Sequence, residues 1–570
     1  MLMTRSRSAA WVFLLPAVIS PARAEEFRFK ERLLPVLTRQ VPGILKTFNP
    51  KTGRFGSGVW ICTDQNRIYP LAVAYATRGE GNPYYKDPRL LEAVVKGGDA
   101  LLADADAEGR WVFRKKDGSE WGKIRMPWTY SRWIRAFSLV RDDMPADRRA
   151  AWDRALTRAY EAILQKDLNR FVNIPTHHAM GLYIAGRLFD REDFRTRAGE
   201  FLRKVAAAQA EGGYWPEETD GPVIQYHFVY IEALGIYHAL SGDPEVRPAL
   251  ERGIRFLSTF TYPDGRPVET VDGRNPYHAA IRAGNAGVSL TPEGRAWLRR
   301  QWDLPGGTGP DEDEAATFLL YGSEGEYAPD AAADGGGLRV LTEGGMDRAA
   351  ILRKGPWFVC LSAYTAPVSR DRWHQDRQNV VSVWHEKDGL ILGGGNTKLQ
   401  PLWSTFCVGN PSGFRHKAGD TKPDFLPPPG LFHVPSAATL VREPEPGLDL
   451  TYGPETCRLR VRPVDDRRLV LTLETTAASG APVAAHVTLM PPLWKGNTPI
   501  AAYGKVPGGG RLALDLVTLR FPEDATMDWA SPHNPYRKDG RAEVGEGRVV
   551  VRIPFSKDRS RCEVGIEVGP

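Results

Sequence analysis

Arg191-Glu-Asp-Phe-Arg-Thr-Arg-Ala-Gly-Glu-Phe-Leu-Arg-Lys-Val-Ala-Ala-Ala-Gln-Ala-Glu-Gly-Gly-Tyr-Trp215 reads as one helix and the loop that ends it. Phe194, Ala198, Phe201, Leu202 and Val205 recur at three- and four-residue spacing, which gives a helix over 191–208 one apolar face. Leu90–Leu102, Ser131–Val140, Ala146–Leu164, Ala179–Leu188, Val223–Leu240 and Pro244–Phe260 share the period. The closing loop, Glu211-Gly-Gly-Tyr-Trp215, has two relatives, Glu108-Gly-Arg-Trp111 and Pro263-Asp-Gly-Arg266. The loops beginning at Glu211 and Pro263 are about 52 residues apart and those beginning at Glu108 and Glu211 about twice that, which fits a repeat of helical hairpins. Stacked hairpins of that size close into an incomplete (α/α) toroid around a cleft, with a plain α-solenoid as the structural alternative.

The chain changes character near residue 330. Beyond Ala333-Asp-Gly-Gly-Gly337 the pattern alternates, and segments such as Trp357–Ala363, Val380–Glu386, Leu469–Thr475 and Val549–Ile553 read as strands bounded by Gly, Pro and Asp. A dozen or so strands without intervening helices predict an antiparallel β-sandwich. The expected organisation is a signal peptide over 1–24, a toroid over 25–330 and a sandwich over 331–570. Arg5 and Arg7, the apolar run Ala9–Ile19 and Ala22-Arg23-Ala24 carry the export reading, which predicts a periplasmic or secreted protein. No later stretch approaches the roughly 20 apolar residues of a spanning helix. A formal charge of +6 is mild, and no basic stripe points to nucleic acid. Five widely spaced cysteines without a CxxC do not make a disulfide framework. The 16 tryptophans, many beside Gly or Arg, suit sugar stacking as well as core filling.

Three segments concentrate chemistry. Asn173-Ile-Pro-Thr-His177-His178 opens a helix; Asp220-Gly-Pro-Val-Ile-Gln225-Tyr226-His227-Phe-Val-Tyr230 opens another; Arg372-Trp-His374-Gln-Asp376 precedes the strand pair Val380–Glu386 and Gly389-Leu-Ile-Leu-Gly-Gly-Gly395. Together, in this order, they resemble the heparinase II/III-like polysaccharide lyases, and more loosely the alginate and chondroitin lyases with the same toroid-plus-sandwich plan. The resemblance implies a lyase acting on an acidic polysaccharide, with the Asn/His cluster and a Tyr on the toroid and a His facing them from the sandwich. It also implies a structural zinc held by two His and an Asp. Here Arg372 stands where one of those His is expected and glycines 393–395 occupy the Asp's region, so the ligand pattern is incomplete and no metal or cofactor is assigned.

β-Elimination on a uronate needs donors that let the C5 carboxylate take up charge, a base for the C5 proton and an acid for the O4 leaving group. Asn173 and one of His177 and His178 suit the first task, with Gln225 and a nearby Arg as helpers. Tyr226, its pKa lowered by cationic neighbours, or His374 suits the second. Tyr226 suits the third, alone in a syn elimination or sharing the work with His374 in an anti one. His227, Tyr230, Arg372 and Trp215 complete the expected sugar contacts. Tyr230, one helical turn from Tyr226, is the alternative phenol. Asn173 also suits a helix cap, and Arg370, Arg372 and Arg377 suit either a patch that binds acidic sugar or a solvated loop. Two other function classes fit the sequence. A glycoside hydrolase would draw a carboxylate pair from Glu217, Glu218, Asp220, Glu269 and Asp272, and a non-catalytic glycan binder would use a Trp-rich cleft.

Overall fold

Helix signals in the first half are local and chemically explicit. Asp87 accepts the Arg89 N–H at 2.9 Å ahead of Pro88, Thr291 caps its helix through the Gly294 N–H at 3.0 Å, and Asp311 and Glu314 form a capping box. A computed structural model describes residues 26–570 apart from 277–279, 308, 329–334, 399, 414–425, 492–493, 496–497, 500–503 and 538. The signal-peptide reading and the change of character near 330 therefore fall outside the described residues.

Eleven helices occupy the N-terminal half of the described chain: α1 Lys30–Lys46, α2 Ile68–Ala76, α3 Pro88–Asp104, α4 Pro127–Val140, α5 Ala146–Lys166, α6 Asn173–Leu188, α7 Glu192–Ala207, α8 Ile224–Ser241, α9 Arg247–Thr259, α10 Pro292–Asp303 and α11 Glu312–Tyr321. Helices α2, α4, α6 and α8 pack side by side, α11 touches both α2 and α8, and α3, α5 and α7 lie against this inner row. The result is the expected helical toroid. Its repeat has a physical signature: the Trp111 indole donates to the Leu101 carbonyl at 2.9 Å and the Trp215 indole to the Val205 carbonyl at 2.8 Å, each ten residues back. Each loop turns on a glycine in the left-handed region, Gly109 (φ 72°) and Gly213 (φ 88°).

One element was not anticipated. Trp111–Arg114 pairs antiparallel with Glu120–Ile124, and this hairpin stands out from the helical half.

The C-terminal half is the expected antiparallel sandwich. One sheet orders Ala437–Val441, Gly447–Tyr452, Glu455–Pro463, Arg468–Thr475, Arg561–Val568, Val517–Arg520 and Arg511–Leu514. The larger sheet runs from Gly504–Lys505 through Arg548–Phe555, Val483–Leu489 and Val381–His385 to Gly337–Glu343. Leu459, Leu471, Val487, Val551 and Val564 fill the space between them. All five cysteines are free and buried. Among the described residues, no helix is long and apolar enough to cross a membrane.

The halves meet along a dry seam. Tyr214, Phe256, Tyr262 and Val271 pack against Ile351, Phe358 and Trp384. Within it Glu269 is buried, accepting the Gly394 N–H and the Tyr262 hydroxyl, both at 3.0 Å. A Cβ on Gly393 would lie 2.5 Å from the Glu269 carboxylate and one on Gly395 2.7 Å from its Cγ, so these two glycines form the notch that admits it. Next to this notch, Asn396 donates to the Asp272 carbonyl at 2.7 Å, and Gln375 N–H to the Gly273 carbonyl at 3.0 Å. These contacts fix Arg274 of the helical half beside the 372–374 loop.

Candidate active site

Two inner helices begin at the cleft, and neither is capped by its own sequence. Val172 and Val223 sit at the N-cap positions of α6 and α8 without side-chain hydrogen bonds. Carboxylates from distant loops do the work. Glu217 accepts the Asn173 N–H at 3.1 Å, and Asp272 accepts the Ile224 N–H at 2.8 Å. Both carboxylates are thereby placed at the positive ends of helix dipoles. The cap reading of Asn173 thus fails: its backbone is held from elsewhere, and its side-chain amide is left facing the cleft.

That cleft has a volume of about 1020 Å³ and is lined from both halves. Asn173, His178, Tyr226 and Arg274 line it from the helices and loops, Trp121 from the hairpin, and Arg372, Trp373 and Tyr536 from the sandwich. The Arg274 guanidinium lies over the Tyr226 ring at 4.5 Å. Tyr536 reaches in from the sandwich and interacts with both the Tyr226 hydroxyl and Arg274. Beside them, Trp121 and Trp373 meet with ring centroids 4.7 Å apart, and Arg372 lies over both, at 5.4 and 4.2 Å. His374 follows Trp373, half-buried, with Nδ1 3.9 Å from the Asp371 carboxylate and within the electrostatic reach of Arg274 and Glu218.

The protonation states are set mainly by burial. Burial raises the Tyr226 phenol above its ordinary range, the neighbouring Tyr536 raises it further, and Arg274 offsets only part of this. The expected lowering is therefore reversed, and Tyr226 rests as a neutral hydroxyl. Burial lowers His374, with Asp371 opposing, so its imidazole rests neutral with a lone pair to offer. Burial likewise takes His178 down to about 3. Its Nε2 is 3.0 Å from the Arg125 carbonyl. A carbonyl only accepts, so Nε2 carries the proton and Nδ1 presents a bare lone pair. His178 is thus an acceptor, unsuited to cradling a carboxylate.

Several residues expected to touch sugar do not reach the cleft. Successive helical residues point about 100° apart, so Gln225, Tyr226 and His227 fan out from α8. Gln225 lines a separate cavity, bonded to Arg282. His227 is buried on the Gly253 carbonyl at 2.9 Å. Tyr230 is fully buried, donating to Glu217 and stacked on Trp215 at 5.0 Å. Trp215 is the repeat's anchor rather than a sugar platform. His177 is buried against Ser131 at 2.9 Å. Arg377 is buried in the seam, donating to the Val271 and Pro222 carbonyls at 2.9 and 3.3 Å.

The carboxylates considered for hydrolysis are otherwise engaged. Glu217 holds Tyr230 and Asn173. Glu218 is paired with Arg170. Glu269 lies in the seam, and Asp272 accepts three backbone N–H groups. Asp220 is exposed and does not line the cleft. Glu217 and Glu218 are also successive non-glycine residues in the left-handed region, φ 47° and 62°. Strain of this kind persists only where surrounding contacts enforce it, and it concentrates at functional sites.

No family model matches the sequence, and no curated protein matches it. Solved structures do. Heparinase III superposes with a TM-score of 0.50 at 13% identity, covering 89% of this chain and 76% of that one. A second heparinase III gene product gives 0.52 at 12% identity, covering 96% and 84%, and its lysine-methylated form gives 0.51 at 12%. In fold, the chain is a helical toroid joined to a β-sandwich on the plan of heparinase III.

Proposed function

We propose that the protein is an exported lyase that cleaves a uronic-acid-containing polysaccharide by β-elimination. The observation that carries this reading is the convergence of Asn173, Tyr226 and Arg274 from the helical half with Arg372, Trp373 and Tyr536 from the sandwich, around one cleft whose carboxylates are already engaged; His374 does not itself line the cleft and enters as the residue next to Trp373. Heparinase III, which shares the fold, is named for the same class of polymer.

In the proposed mechanism the uronate carboxylate lies against the Asn173 amide and the Arg274 guanidinium. These donors stabilise charge as it moves from C5 onto the carboxylate. Neutral His374 accepts the C5 proton. The Tyr226 hydroxyl delivers its proton to O4 as the C4–O4 bond breaks, and the electron pair from the C5–H bond becomes the C4=C5 double bond. The cycle leaves an imidazolium and a phenolate, and proton exchange with water restores both. A neutral phenol with a raised pKa supports the acid role, so the division of labour with His374 is favoured over Tyr226 acting alone. Arg274 takes the place in the carboxylate cradle that the sequence suggested for His178.

The test is a panel of uronate polymers, glycosaminoglycans and alginate included, followed by ultraviolet absorbance of the new double bond. A lyase raises the absorbance on at least one polymer, and Tyr226→Phe abolishes the rise. Release of reducing ends without absorbance would instead establish hydrolysis.

A further inference from the structure

Lys398 is fully buried in the sandwich. Its Nζ donates to Asp376 Oδ1 at 2.8 Å and to the Ser369 carbonyl. The other Asp376 oxygen, Oδ2, meets His433 Nε2 at 3.2 Å. Ser369 and Asp376 are the two ends of one loop, and between them lie Arg372 and Trp373, which line the cleft, and His374. The backbone repeats the pattern. Asp376 N–H donates to the Thr397 carbonyl at 3.1 Å, and His533 N–H donates to the Lys398 carbonyl at 3.3 Å. Three residues beyond His533 comes Tyr536, the sandwich residue beside Tyr226.

The resemblance to heparinase-type lyases implies a structural zinc with His and Asp ligands in the sandwich. By residue type, Asp376 and His433 are such a donor set, but they do not fit a metal here. One carboxylate oxygen already accepts from a buried ammonium and the other is turned to His433. A divalent ion placed among them would lie beside a like charge in a buried site whose carboxylate is already paired with Lys398. Among the described residues no group of three His, Cys, Asp or Glu is arranged for a metal ion. An ammonium instead supplies a compact positive charge with three donors, tethered by its own covalent stem.

We infer that Lys398 replaces a structural metal in this chain, and that it is a positioning residue clamping both ends of the 369–376 loop so that Arg372 and Trp373 line the cleft and His374 is held next to them. The clamp stands on its own geometry, whereas its effect on turnover rests on the proposed β-elimination.

The experiment combines chelation with local proteolysis. The purified full-length protein is treated with a strong zinc chelator, and its melting temperature is compared with an untreated sample. The temperature is expected to stay the same, and metal analysis is expected to find no stoichiometric zinc. Trypsin reports the loop, because Arg370 and Arg372 lie inside it. In Lys398→Met, cleavage after these residues is expected to rise about tenfold or more, while cleavage elsewhere keeps its rate. On a responsive uronate polymer the variant is expected to lose about 10²-fold in kcat with KM within a few-fold, as for a displaced catalytic group. Lys398→Met leaves Asp376 buried without its cation and can fail to fold. The paired variant Lys398→Met/Asp376→Asn removes both charges and is expected to fold with the loop still open to trypsin. The inference is overturned by stoichiometric zinc whose removal lowers the melting temperature, or by wild-type resistance at Arg370 and Arg372 in the folded variant. The chelation and trypsin arms need no substrate, so a failure of the lyase reading is seen separately, as no polymer responding to the wild type.

Discussion

The Glu217 carboxylate accepts the backbone N–H of Asn173 at 3.1 Å, across 44 positions of chain. It thereby anchors the start of α6 while leaving the Asn173 amide to the cleft. Glu217→Ala removes this anchor and strands the Tyr230 hydroxyl in the interior. The expected cost is about 1–3 kcal/mol of stability, with kcat falling more than KM. Tyr230→Phe combined with Glu217→Ala is expected to cost less than the sum of the single changes, because the two groups share one contact. Strictly additive losses in thermal melts would show that the pair is not coupled.

Tyr226→Phe keeps the ring under Arg274 and removes only the hydroxyl. Turnover is expected to fall by about 10²–10⁴-fold, the usual contribution of a positioned acid or base, with an unchanged melting temperature. Rates read from ultraviolet absorbance check this, and a variant within a few-fold of wild type removes Tyr226 from the mechanism.

The pH profile follows from the two shifts. His374, lowered by burial, must be neutral to accept a proton, so kcat/KM is expected to fall only as pH drops below the ordinary imidazole range. Tyr226, raised by burial, must keep its proton, so the alkaline limb lies above the ordinary phenol range. The profile should be a plateau from neutral pH upward. An acid limb centred above neutrality would exclude His374 as the base.

Glu269 titrates in the seam at about 7, raised by burial. Its native form binds a proton more tightly than the unfolded chain does. Stability from this group is therefore present at low pH and declines as pH rises from the ordinary glutamate range through about 7. Glu269→Gln preserves the size and should flatten this decline. Melting temperatures measured from pH 5 to pH 9, with the variant gaining on wild type toward the alkaline end, are the expected outcome; parallel curves would contradict it.

Trp121 and Trp215 should separate binding from folding. Trp121 lines the cleft, so Trp121→Ala is expected to raise KM about fivefold, the worth of roughly 1 kcal/mol of aromatic contact, with little change in melting temperature. Trp215 is buried in the repeat, so Trp215→Ala is expected to lose about 3–5 kcal/mol of stability while KM for the folded fraction is unchanged.

The period of three and four over 191–208 was enough to place a helix there, because one buried face writes itself into the residue order. Alternation did the same for the strands. Asn173, His178, Tyr226 and Arg372 were readable as cleft residues because each stands in a polar cluster at the start of a helix or strand. Tyr536 was not, since its segment reaches the site through long-range contacts such as the pairing of His533 with Lys398, across more than a hundred positions. Arg274 was hidden for the same reason, as the capping of α8 by Asp272 and the docking of the 272–273 loop on the sandwich together bring it over Tyr226. The hairpin carrying Trp121 left a faint signal, the strand-prone run Trp111-Val-Phe113 ahead of Asp117-Gly118, within a helical context. Trp215 misled because tryptophan beside glycine serves two purposes: the loop repeat with Trp111 is legible in the sequence, but that both indoles reach back ten residues as anchors is not.

The apolar seam also bears on how the chain behaves when divided. Tyr214, Phe256 and Tyr262 on one side and Ile351, Phe358 and Trp384 on the other belong to one buried cluster that spans the two lobes. A gene fragment encoding either lobe alone would expose this patch to water, and surfaces of that kind drive self-association. Neither lobe should behave as a free-standing module, whereas co-expressed fragments should rescue one another by reassembling along the same face.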